Sequence, residues 1–243
     1  MTFDLSLLDQ HERIAFSFSG GKDSTAVLHM LRDELHRMTV YHVDTGDLLP
    51  EMVEHVAELA ADIPNFVRIE PNVAAWIAEN GLPSDLIPHT QHPVGLAMGE
   101  AQTRLVPRYD CCWHNLMWPL FDRVVSDGNT LLIRGTKAID MRQLPPSDWP
   151  GLELWYPLEH WTHADVFTYL AEQGVPLPPI YGRVTNAPEC ARCTAWWSEA
   201  RAGYLKEFYP ALAREYQARL GAVIEELHDP IMYLQREVAD LSA

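Results

Sequence analysis

The sequence predicts an α/β fold: a three-layer, doubly wound and mostly parallel sheet, followed by a helical C-terminal extension. Short apolar runs of the kind found in strands buried on both faces alternate along the chain with helical patterns. Such alternation is typical of right-handed βαβ units, which build parallel sheets. From Ala195 onward the pattern is helical, with breaks expected at Pro210 and Pro230. We therefore expect a main domain over residues 1–197 and a helical extension over 198–243.

The predicted elements follow one another in a regular order. The strands are expected at 14–18, 38–43, 66–69 and 130–134, and the helices at 23–37, 50–62, 113–125 and 162–173. Pro50 stands at the start of the second helix, where its missing N–H is no loss. Thr162 and Asp165 form a near capping box at the start of the fourth. The stretches between these elements at 81–110, 140–152 and 174–193 have an irregular composition, and loops as long as the first are often functional.

Composition limits the possible functions. The 243 residues are 47% hydrophobic, with no apolar run near the ~20 residues of a membrane span. The N-terminus lacks the basic start and apolar core of a signal peptide, so we expect a cytoplasmic protein without a membrane partner. A net charge of −16 argues against a broad nucleic-acid surface, so any nucleic acid would be reached through a partner. Only three lysines are present, and two of them, Lys22 and Lys137, fall in suspected site loops.

The hexapeptide Ser19-Gly20-Gly21-Lys22-Asp23-Ser24 is the strongest local signal. It lies between a predicted buried strand and a predicted helix. Two glycines let the backbone bend and approach an anion, and a helix N-terminus offers unpaired N–H groups. Lys22 adds a mobile positive charge, the serines add hydroxyl donors, and Asp23 is expected to cap the helix. The pattern therefore predicts a phosphate-binding loop whose spacing is neither that of a Walker A loop nor that of a dinucleotide fingerprint.

Two further groups of polar and glycine residues follow predicted strands. Asp44-Thr45-Gly46 ends the second strand, and Gly135-Thr136-Lys137 ends the fourth. Ligands of open α/β sheets bind at the carboxyl ends of the strands. The three loops are therefore expected to converge on one crevice.

The four cysteines form two close pairs. Cys111 and Cys112 are adjacent, whereas Cys190 and Cys193 form a Cys-x-x-Cys motif. Structural disulfides are rare in the cytosol, so this pairing indicates a metal or cluster site.

These motifs together resemble the phosphoadenosine phosphosulfate (PAPS) reductase family, whose loop belongs to the ATP-pyrophosphatase (PP-loop) superfamily. Ser-Gly-Gly-Lys-Asp-Ser resembles the superfamily signature, and Val43–Gly46 with Pro50-Glu51 resembles the family's Asp-Thr-Gly…Pro-Glu-Thr segment. The resemblance runs from about residue 12 to 197, with motif order and spacing in agreement. The remaining matching segments are Cys111–Leu120, Trp155–Leu158 with Trp161-Thr162, Val166 and Tyr169-Leu170, Gly174–Pro176, and Cys190–Thr194.

The resemblance implies a site for an adenine nucleotide: adenosine phosphosulfate (APS), PAPS or ATP. The catalytic candidates are Lys22, Lys137 and Arg142, which would stabilise phosphate or sulfate charge. The residues expected to contact the nucleotide are Ser19, Gly20, Gly21, Lys22, Asp23, Ser24, Asp44, Thr45, Gly46 and Gly135.

The cysteine pattern resembles that of the iron–sulfur branch of the family, the APS reductases. There, a Cys-Cys pair and a Cys-x-x-Cys roughly eighty residues later hold a 4Fe–4S cluster, and four thiolates are its usual ligand set. The implied ligands are Cys111, Cys112, Cys190 and Cys193. Two alternatives stay open at this stage: structural zinc, which usually takes two Cys-x-x-Cys hooks, and unliganded buried thiols.

Three features depart from the family pattern. The reductases attack the sulfonucleotide sulfur with a cysteine near the C-terminus, whereas this chain has no cysteine after Cys193. The family lysine after Cys-Cys is replaced by Asn115, and the family Gly-x-Arg appears as Gly135-Thr136-Lys137, with Arg142 as a stand-in for a later arginine. Lysine keeps the charge but loses the bidentate fork. If all four cysteines hold a cluster, reduction by the family mechanism would therefore need an external thiol, a redox partner protein or a different chemistry.

Three functions are consistent with these observations. The first is a sulfonucleotide reductase-like oxidoreductase. The second is an ATP pyrophosphatase, assisted by Mg²⁺, that adenylates a substrate for thiolation, as in tRNA modification or DNA phosphorothioation. The third is a non-catalytic nucleotide-binding redox module. A homodimer is a further expectation, since the helical C-terminus suits either packing on the sheet or a dimer contact.

Overall fold

A computed structural model describes residues 5–86, 94, 97, 105–141, 148–197 and 200–242. The strands are β1 (Ile14–Ser17), β2 (Met38–Val43), β3 (Phe66–Ile69), β4 (Leu82–Pro83), β5 (Leu105–Val106), β6 (Leu131–Arg134), β7 (Asp148–Trp149) and β8 (Leu152–Trp155). The α-helices are α1 (Lys22–Met30), α2 (Pro50–Ala60), α3 (Val73–Asn80), α4 (Arg108–Cys112), α5 (Trp118–Ser126), α6 (His163–Glu172), α7 (Arg201–Phe208) and α8 (Pro210–Ser242). Shorter 3₁₀ segments span Ser6–Gln10, Arg32–Arg37, Ala138–Asp140 and Pro179–Gly182, and Trp113–Met117 is a π-helical turn.

Six strands form the main sheet, in the order β3-β2-β1-β6-β8-β7. Every neighbouring pair is parallel except β7 with β8, which is antiparallel. The strand order steps outward from β1 in both directions, as in a doubly wound sheet. The predicted α/β class and mostly parallel sheet are confirmed.

Both faces of the sheet are covered by helices, because alternate residues of each strand point to opposite sides. Ile14 and Phe16 of β1 pack with the inward side chains of α1 and α6. Ala15, between them, packs on the other face with Leu120 and Val124 of α5. The sheet is thus the middle of three layers, as the sequence predicts.

Several boundaries differ from the expected ones. The helix predicted over 23–37 ends at Met30 and continues as a 3₁₀ segment, and the one predicted over 113–125 begins as a π-helical turn. Helix α3 and strands β4, β5, β7 and β8 were not predicted. Thr162 caps α6 in a complete capping box with Asp165. Pro210 begins α8 as expected, but Pro230 lies inside it without ending it, so the expected second break is wrong.

The chain divides by its internal contacts into two units, each made of two segments. Unit 1 comprises residues 1–71 and 116–189 and contains the six-stranded sheet. Unit 2 comprises 72–115 and 190–243, with the β4–β5 pair, α3, α4, α7 and α8. A small core of Leu105, Val223 and Leu227 lies within unit 2. The boundary expected after residue 197 stays a prediction. In the described part of the chain, no helix is both long enough and apolar enough to span a membrane.

Candidate functional site

The Ser19–Ser24 loop connects β1 to α1 in unit 1. Gly20 adopts a positive φ of 79°, and Gly21 precedes the first helical residue, Lys22. Ser24 Oγ donates to the Gly21 carbonyl at 3.0 Å and lies 3.2 Å from Ser19 Oγ. The two hydroxyls therefore fix the turn that leads into the helix N-terminus, where N–H groups and the helix dipole favour an anion.

The end of β6 approaches this helix start very closely. A Cβ atom added at Gly135 would lie 2.9 Å from the Ser24 backbone N and 3.0 Å from the Asp23 carbonyl carbon. Only glycine allows two backbones to come this near. Two of the three loops expected to converge, Ser19–Ser24 and Gly135–Lys137, therefore meet.

A network of buried charges lies behind the loop. Lys22 is 1% exposed and Lys137 is 0% exposed. Asp23 pairs with both ammonium groups: its Oδ2 is 3.0 Å from Lys22 Nζ, and its Oδ1 is 2.7 Å from Lys137 Nζ. Lys137 also pairs with Asp140 at 2.7 Å. Two expectations are thereby corrected: Asp23 makes no side-chain cap to the helix, and Lys22 is a fixed buried charge instead of a mobile one.

Lys22 is held from two further sides by the segment after α6. Its Nζ donates to Asn186 Oδ1 at 2.6 Å, and its backbone N–H donates to the Tyr181 hydroxyl at 2.8 Å. Burial lowers the pKa of Lys22, while the Asp23 charge opposes that shift. Burial also raises the pKa of Tyr181, so its hydroxyl stays neutral. Tyr181 thus satisfies an N–H at the helix start that would otherwise be unpaired.

A cavity of about 250 Å³ opens at the carboxyl ends of β1 and β6. Its lining combines hydroxyls, one guanidinium and three carboxylates. The residues are Ser17, Ser19, Asp23, Ser24, Arg134, Gly135, Thr136, Asp140 and Glu189. Arg134, the last residue of β6, supplies the positive charge, which interacts with Tyr156 and Glu189. The cavity can accept an anion from the loop side. Its carboxylates suit an anion to which a metal cation is bound.

The third loop lies close by but does not line the cavity. Asp44 Oδ1 accepts from the Gly46 N–H at 2.9 Å, which closes a tight turn after β2. Thr45 Oγ1 donates to the Glu189 carbonyl at 3.0 Å. Asp44–Gly46 is therefore connected to the cavity wall through Glu189.

The prediction from the sequence missed several residues of this region. Arg142 lies outside the described residues. The missed side chains are Arg134, Asp140, Tyr181, Asn186 and Glu189. Arg134 had a signal, since an arginine at the end of an otherwise apolar strand falls where ligands bind. The other four come from loops and short 3₁₀ segments in which no local sequence pattern marks them.

All four cysteines belong to unit 2. Each is a half-buried cysteine. Burial raises the pKa of Cys111 to about 11, and the nearby Cys193 thiol adds to the shift. The Asn115 amide, which lies 3.7 Å from Cys111 Sγ, and the Arg219 charge oppose it. The thiols of Cys111 and Cys193 therefore interact electrostatically although eighty-one residues lie between them in sequence.

The donor set fits a thiolate-bound metal group in its chemistry. Thiolates are ligands that zinc and iron–sulfur clusters take. The positions of the described side chains do not match that chemistry. Within the described ranges, no group of three or more His, Cys, Asp or Glu side chains is placed to hold a metal ion. The expected cluster therefore stays a prediction.

Comparison with known proteins finds sulfonucleotide reductases and a sulfate adenylyltransferase subunit. Residues 13–89 match the model of the phosphoadenosine phosphosulfate reductase domain, a range that includes the Ser19–Ser24 loop and ends before the cysteines. An adenosine 5'-phosphosulfate reductase of Burkholderia cepacia is 22% identical over 214 residues, 79% of this chain and 79% of the relative. A sulfate adenylyltransferase subunit 2 of Streptomyces lavendulae is 26% identical over 197 residues, 71% of this chain and 57% of the relative. Among solved structures, a PAPS reductase of Candida auris in complex with phosphate matches at 16% identity and a TM-score of 0.48, over 70% of this chain and 76% of that one.

The chain is an α/β protein with a glycine-rich loop at the carboxyl edge of a parallel sheet. Residues 13–89 match the PAPS reductase domain, and over 79% of its length the chain is similar to an APS reductase. The family resemblance found in the sequence is confirmed.

Proposed function

We propose that this chain is an enzyme of sulfur metabolism that binds an adenine sulfonucleotide, APS or PAPS, at the Ser19–Ser24 loop and acts as a sulfonucleotide reductase. The observation that carries the proposal is the loop itself. Its glycine turn opens helix α1, and the Gly135 backbone closes on that helix start beside a cavity with Arg134 in its wall. The APS reductase relative supports this choice of substrate class.

The residues around the cavity have distinct roles in this proposal. The loop hydroxyls and the start of α1 would hold the phosphate, with Arg134 opposite them. Lys22 and Lys137 would stabilise the negative charge that develops on the departing nucleotide phosphate. Both ammonium groups are pre-positioned by Asp23, so the site keeps its cations oriented at little further entropic cost. Asp44–Gly46 would contribute to the adenosine side, and Arg142 would add a further charge.

The reduction needs thiols from outside the chain if its own cysteines are ligands. A thiolate would attack the sulfur of the sulfonucleotide, forming a sulfur–sulfur bond while the bond from sulfur to the phosphate oxygen breaks and AMP leaves (3',5'-ADP from PAPS). A second thiolate would attack the thiol sulfur of that adduct, releasing sulfite and leaving a disulfide. The two electrons come from the two thiols. An external thiol or a redox partner protein is therefore part of the proposal.

Cys111, Cys112, Cys190 and Cys193 would hold the proposed 4Fe–4S cluster. Such a cluster, when bound, supplies a local charge that can be tuned by its surroundings. The reaction above needs only the nucleotide site and the external thiols.

One observation favours a second candidate, an ATP pyrophosphatase that activates a substrate for sulfur transfer. The carboxylates of Asp23, Asp140 and Glu189 line the cavity. Carboxylates beside a phosphate site suit Mg²⁺, which binds to the phosphates of ATP. The sulfate adenylyltransferase relative is in keeping with this alternative. A non-catalytic nucleotide-binding redox module is the third candidate.

One set of turnover assays separates these candidates. The purified protein is incubated anaerobically with APS, PAPS or ATP and Mg²⁺, each with and without a dithiol reductant. Sulfite formed with AMP or 3',5'-ADP, only with the thiol, supports the reductase. AMP with pyrophosphate from ATP would contradict it in favour of the second candidate, and binding without turnover would favour the third.

Lys22→Ala is expected to weaken nucleotide binding by about 1–3 kcal/mol, the scale of a lost charged hydrogen bond. Isothermal titration with APS and ATP measures it. Lys206 is the matched control, because it is the third lysine and is exposed on α7. Equal affinity for Lys22→Ala and Lys206→Ala would remove the loop from the proposed site.

Cys190→Ser is expected to abolish the visible absorption of the cluster and to lower bound iron, since a serine hydroxyl replaces one of four thiolate ligands. Iron and sulfide analysis of anaerobically purified protein measures both. Lys22→Ala serves as the reciprocal control, because it should keep its iron. A Cys190→Ser protein that holds wild-type iron would refute this ligand.

The homodimer also stays a proposal. The distal half of α8 leaves Ile231, Leu234, Val238 and Leu241 exposed at helical spacing. Such a stripe is typical of a helix that packs against another surface.

A further inference from the structure

The C-terminal half of α8 carries an unbroken heptad repeat of apolar residues. Over residues 220–241 the spacing alternates between three and four, and each heptad has a β-branched residue at its first position and a leucine at its fourth. The first positions are Ile224, Ile231 and Val238, and the fourth positions are Leu220, Leu227, Leu234 and Leu241. This spacing is typical of a coiled coil, and the choice of residues favours two parallel strands.

The distal part of the repeat is uncovered. Leu227 packs into the small core of unit 2, whereas every residue from Tyr233 to Ser242 is exposed. We call the exposed members of the repeat the seam: Ile224, Ile231, Leu234, Val238 and Leu241. Their exposure ranges from 46% to 88%. The described part of the chain therefore leaves this apolar face without a covering surface.

The distal part of α8 also needs support as a helix. Pro230 lies inside the helix and has no N–H to bond to the preceding turn. Twelve helical residues follow it, and an isolated helix shorter than ~12–15 residues is marginal in water. In proteins, most of the stability of such a helix comes from packing its apolar face. The seam is the face available for that packing.

The charges of the segment indicate what kind of surface covers it. No charged residue lies in the seam, and Arg236 is the only lysine or arginine after Leu220. Helices that lie on membranes carry Lys and Arg on their polar face, so this acidic segment does not suit an anionic lipid surface. In a parallel pair, Glu237 at the edge of the seam faces Ser242 of the partner subunit, so no like charges meet there.

The seam is large enough for a pair of copies. Side chains of this size bury roughly 100 Å² of apolar surface each. Five from each copy therefore bury on the order of 1,000 Å², which reaches the size of a specific interface.

We propose that α8 pairs with α8 of a second copy as a short, parallel, two-stranded coiled coil with the seam at its centre. A two-fold pair covers the same face of both copies, so one apolar face is enough to close the assembly. The coiled coil gives the proposed homodimer its interface, and it does not depend on the nucleotide site.

Sedimentation equilibrium of the full chain over a range of concentrations tests the association. Leu234→Gln removes a seam residue that is 67% exposed, whereas Tyr233→Gln, the matched control, removes an apolar residue that is 68% exposed outside the seam. We expect dimers for the wild type and for Tyr233→Gln, and a dissociation constant higher by about tenfold or more for Leu234→Gln, because both copies lose a buried leucine. A wild type that is monomeric at every concentration would overturn the proposal, and so would equal effects of the two substitutions.

Cysteine substitution tests the parallel register. A disulfide needs Cα atoms about 4.4–6.8 Å apart, and in a parallel pair position 241 lies opposite position 241 of the second copy. Leu241→Cys should therefore give a disulfide-linked dimer on mild oxidation, whereas Tyr233→Cys and the wild type, with its four native cysteines, should not. Equal cross-linking of Tyr233→Cys and Leu241→Cys would overturn the parallel arrangement.

Nucleotide affinity distinguishes this proposal from the proposed function. Leu234→Gln should bind APS as the wild type does, since the seam lies in unit 2 and the Ser19–Ser24 loop lies in unit 1. A protein that dimerises through the seam but binds neither APS nor ATP would contradict the proposed function and leave the coiled coil standing.

Discussion

Lys137→Met is expected to lower the free energy of unfolding by about 2–3 kcal/mol, because it removes the cation from between two carboxylates. Lys137 is completely buried, and its Nζ lies 2.7 Å from both Asp23 Oδ1 and Asp140 Oδ2. A fully buried pair broken in this way costs about 3–5 kcal/mol, and the exposure of Asp23 (21%) and Asp140 (26%) reduces that figure through solvent screening. Nucleotide affinity should fall as well, since Asp23 lines the cavity and loses its second lysine.

Urea unfolding followed by circular dichroism measures the stability change. Lys206→Met, on the exposed face of α7, is the matched control and should stay within about 0.5 kcal/mol of the wild type. Adding Asp140→Asn to Lys137→Met should recover part of the loss, because Asp140 loses its lysine partner in Lys137→Met whereas Asp23 keeps Lys22, and the asparagine at 140 is neutral. A Lys137→Met protein as stable as the Lys206→Met control would show that the buried network contributes little.

The sheet and its flanking helices could be predicted because the residues of most strands form a recognisable apolar pattern of their own. Ile14–Ser17 and Leu131–Arg134 are apolar runs between turn residues, and such runs identify buried parallel strands. The strand β8 was not predicted, since its Glu153 interrupts the apolar pattern and it pairs with β6 from far along the chain. Likewise the π-helical turn at Trp113–Met117 has a sequence that reads as ordinary helix.

The sequence predicted only those residues of the site whose identity depends on the backbone conformation. The glycines of the loop and Gly135 stand where the chain must turn or approach another backbone, and such positions are visible in sequence. The partners of the lysines were not visible. Asn186 and Tyr181 reach Lys22 across more than 150 residues, and only the folded chain brings them together.

Gly20→Ala is the second substitution with a large expected effect. Gly20 has a φ of 79°, which costs an alanine about 1–2 kcal/mol. In addition, the new Cβ would lie 2.4 Å from Val56 Cγ2, a buried atom of α2 that packs in the core beneath the loop. Such overpacking costs about 1–3 kcal/mol more, so the total loss of stability should be about 2–5 kcal/mol. Because the strain falls in the turn before α1, nucleotide affinity should fall with it.

Val56→Ala separates the two causes in a double-mutant cycle. On its own, it should destabilise the protein by leaving a cavity, because Val56 is 1% exposed. Combined with Gly20→Ala, it removes the atom that the new methyl group meets, so the double variant should be more stable than the sum of the single losses by about 1–2 kcal/mol. The difference in the free energy of unfolding between the double variant and Val56→Ala then measures the backbone strain of the loop alone. Simple additivity would mean that α2 moves away from the loop without cost, and the close packing of Gly20 on Val56 would no longer explain why the first glycine of the loop is required.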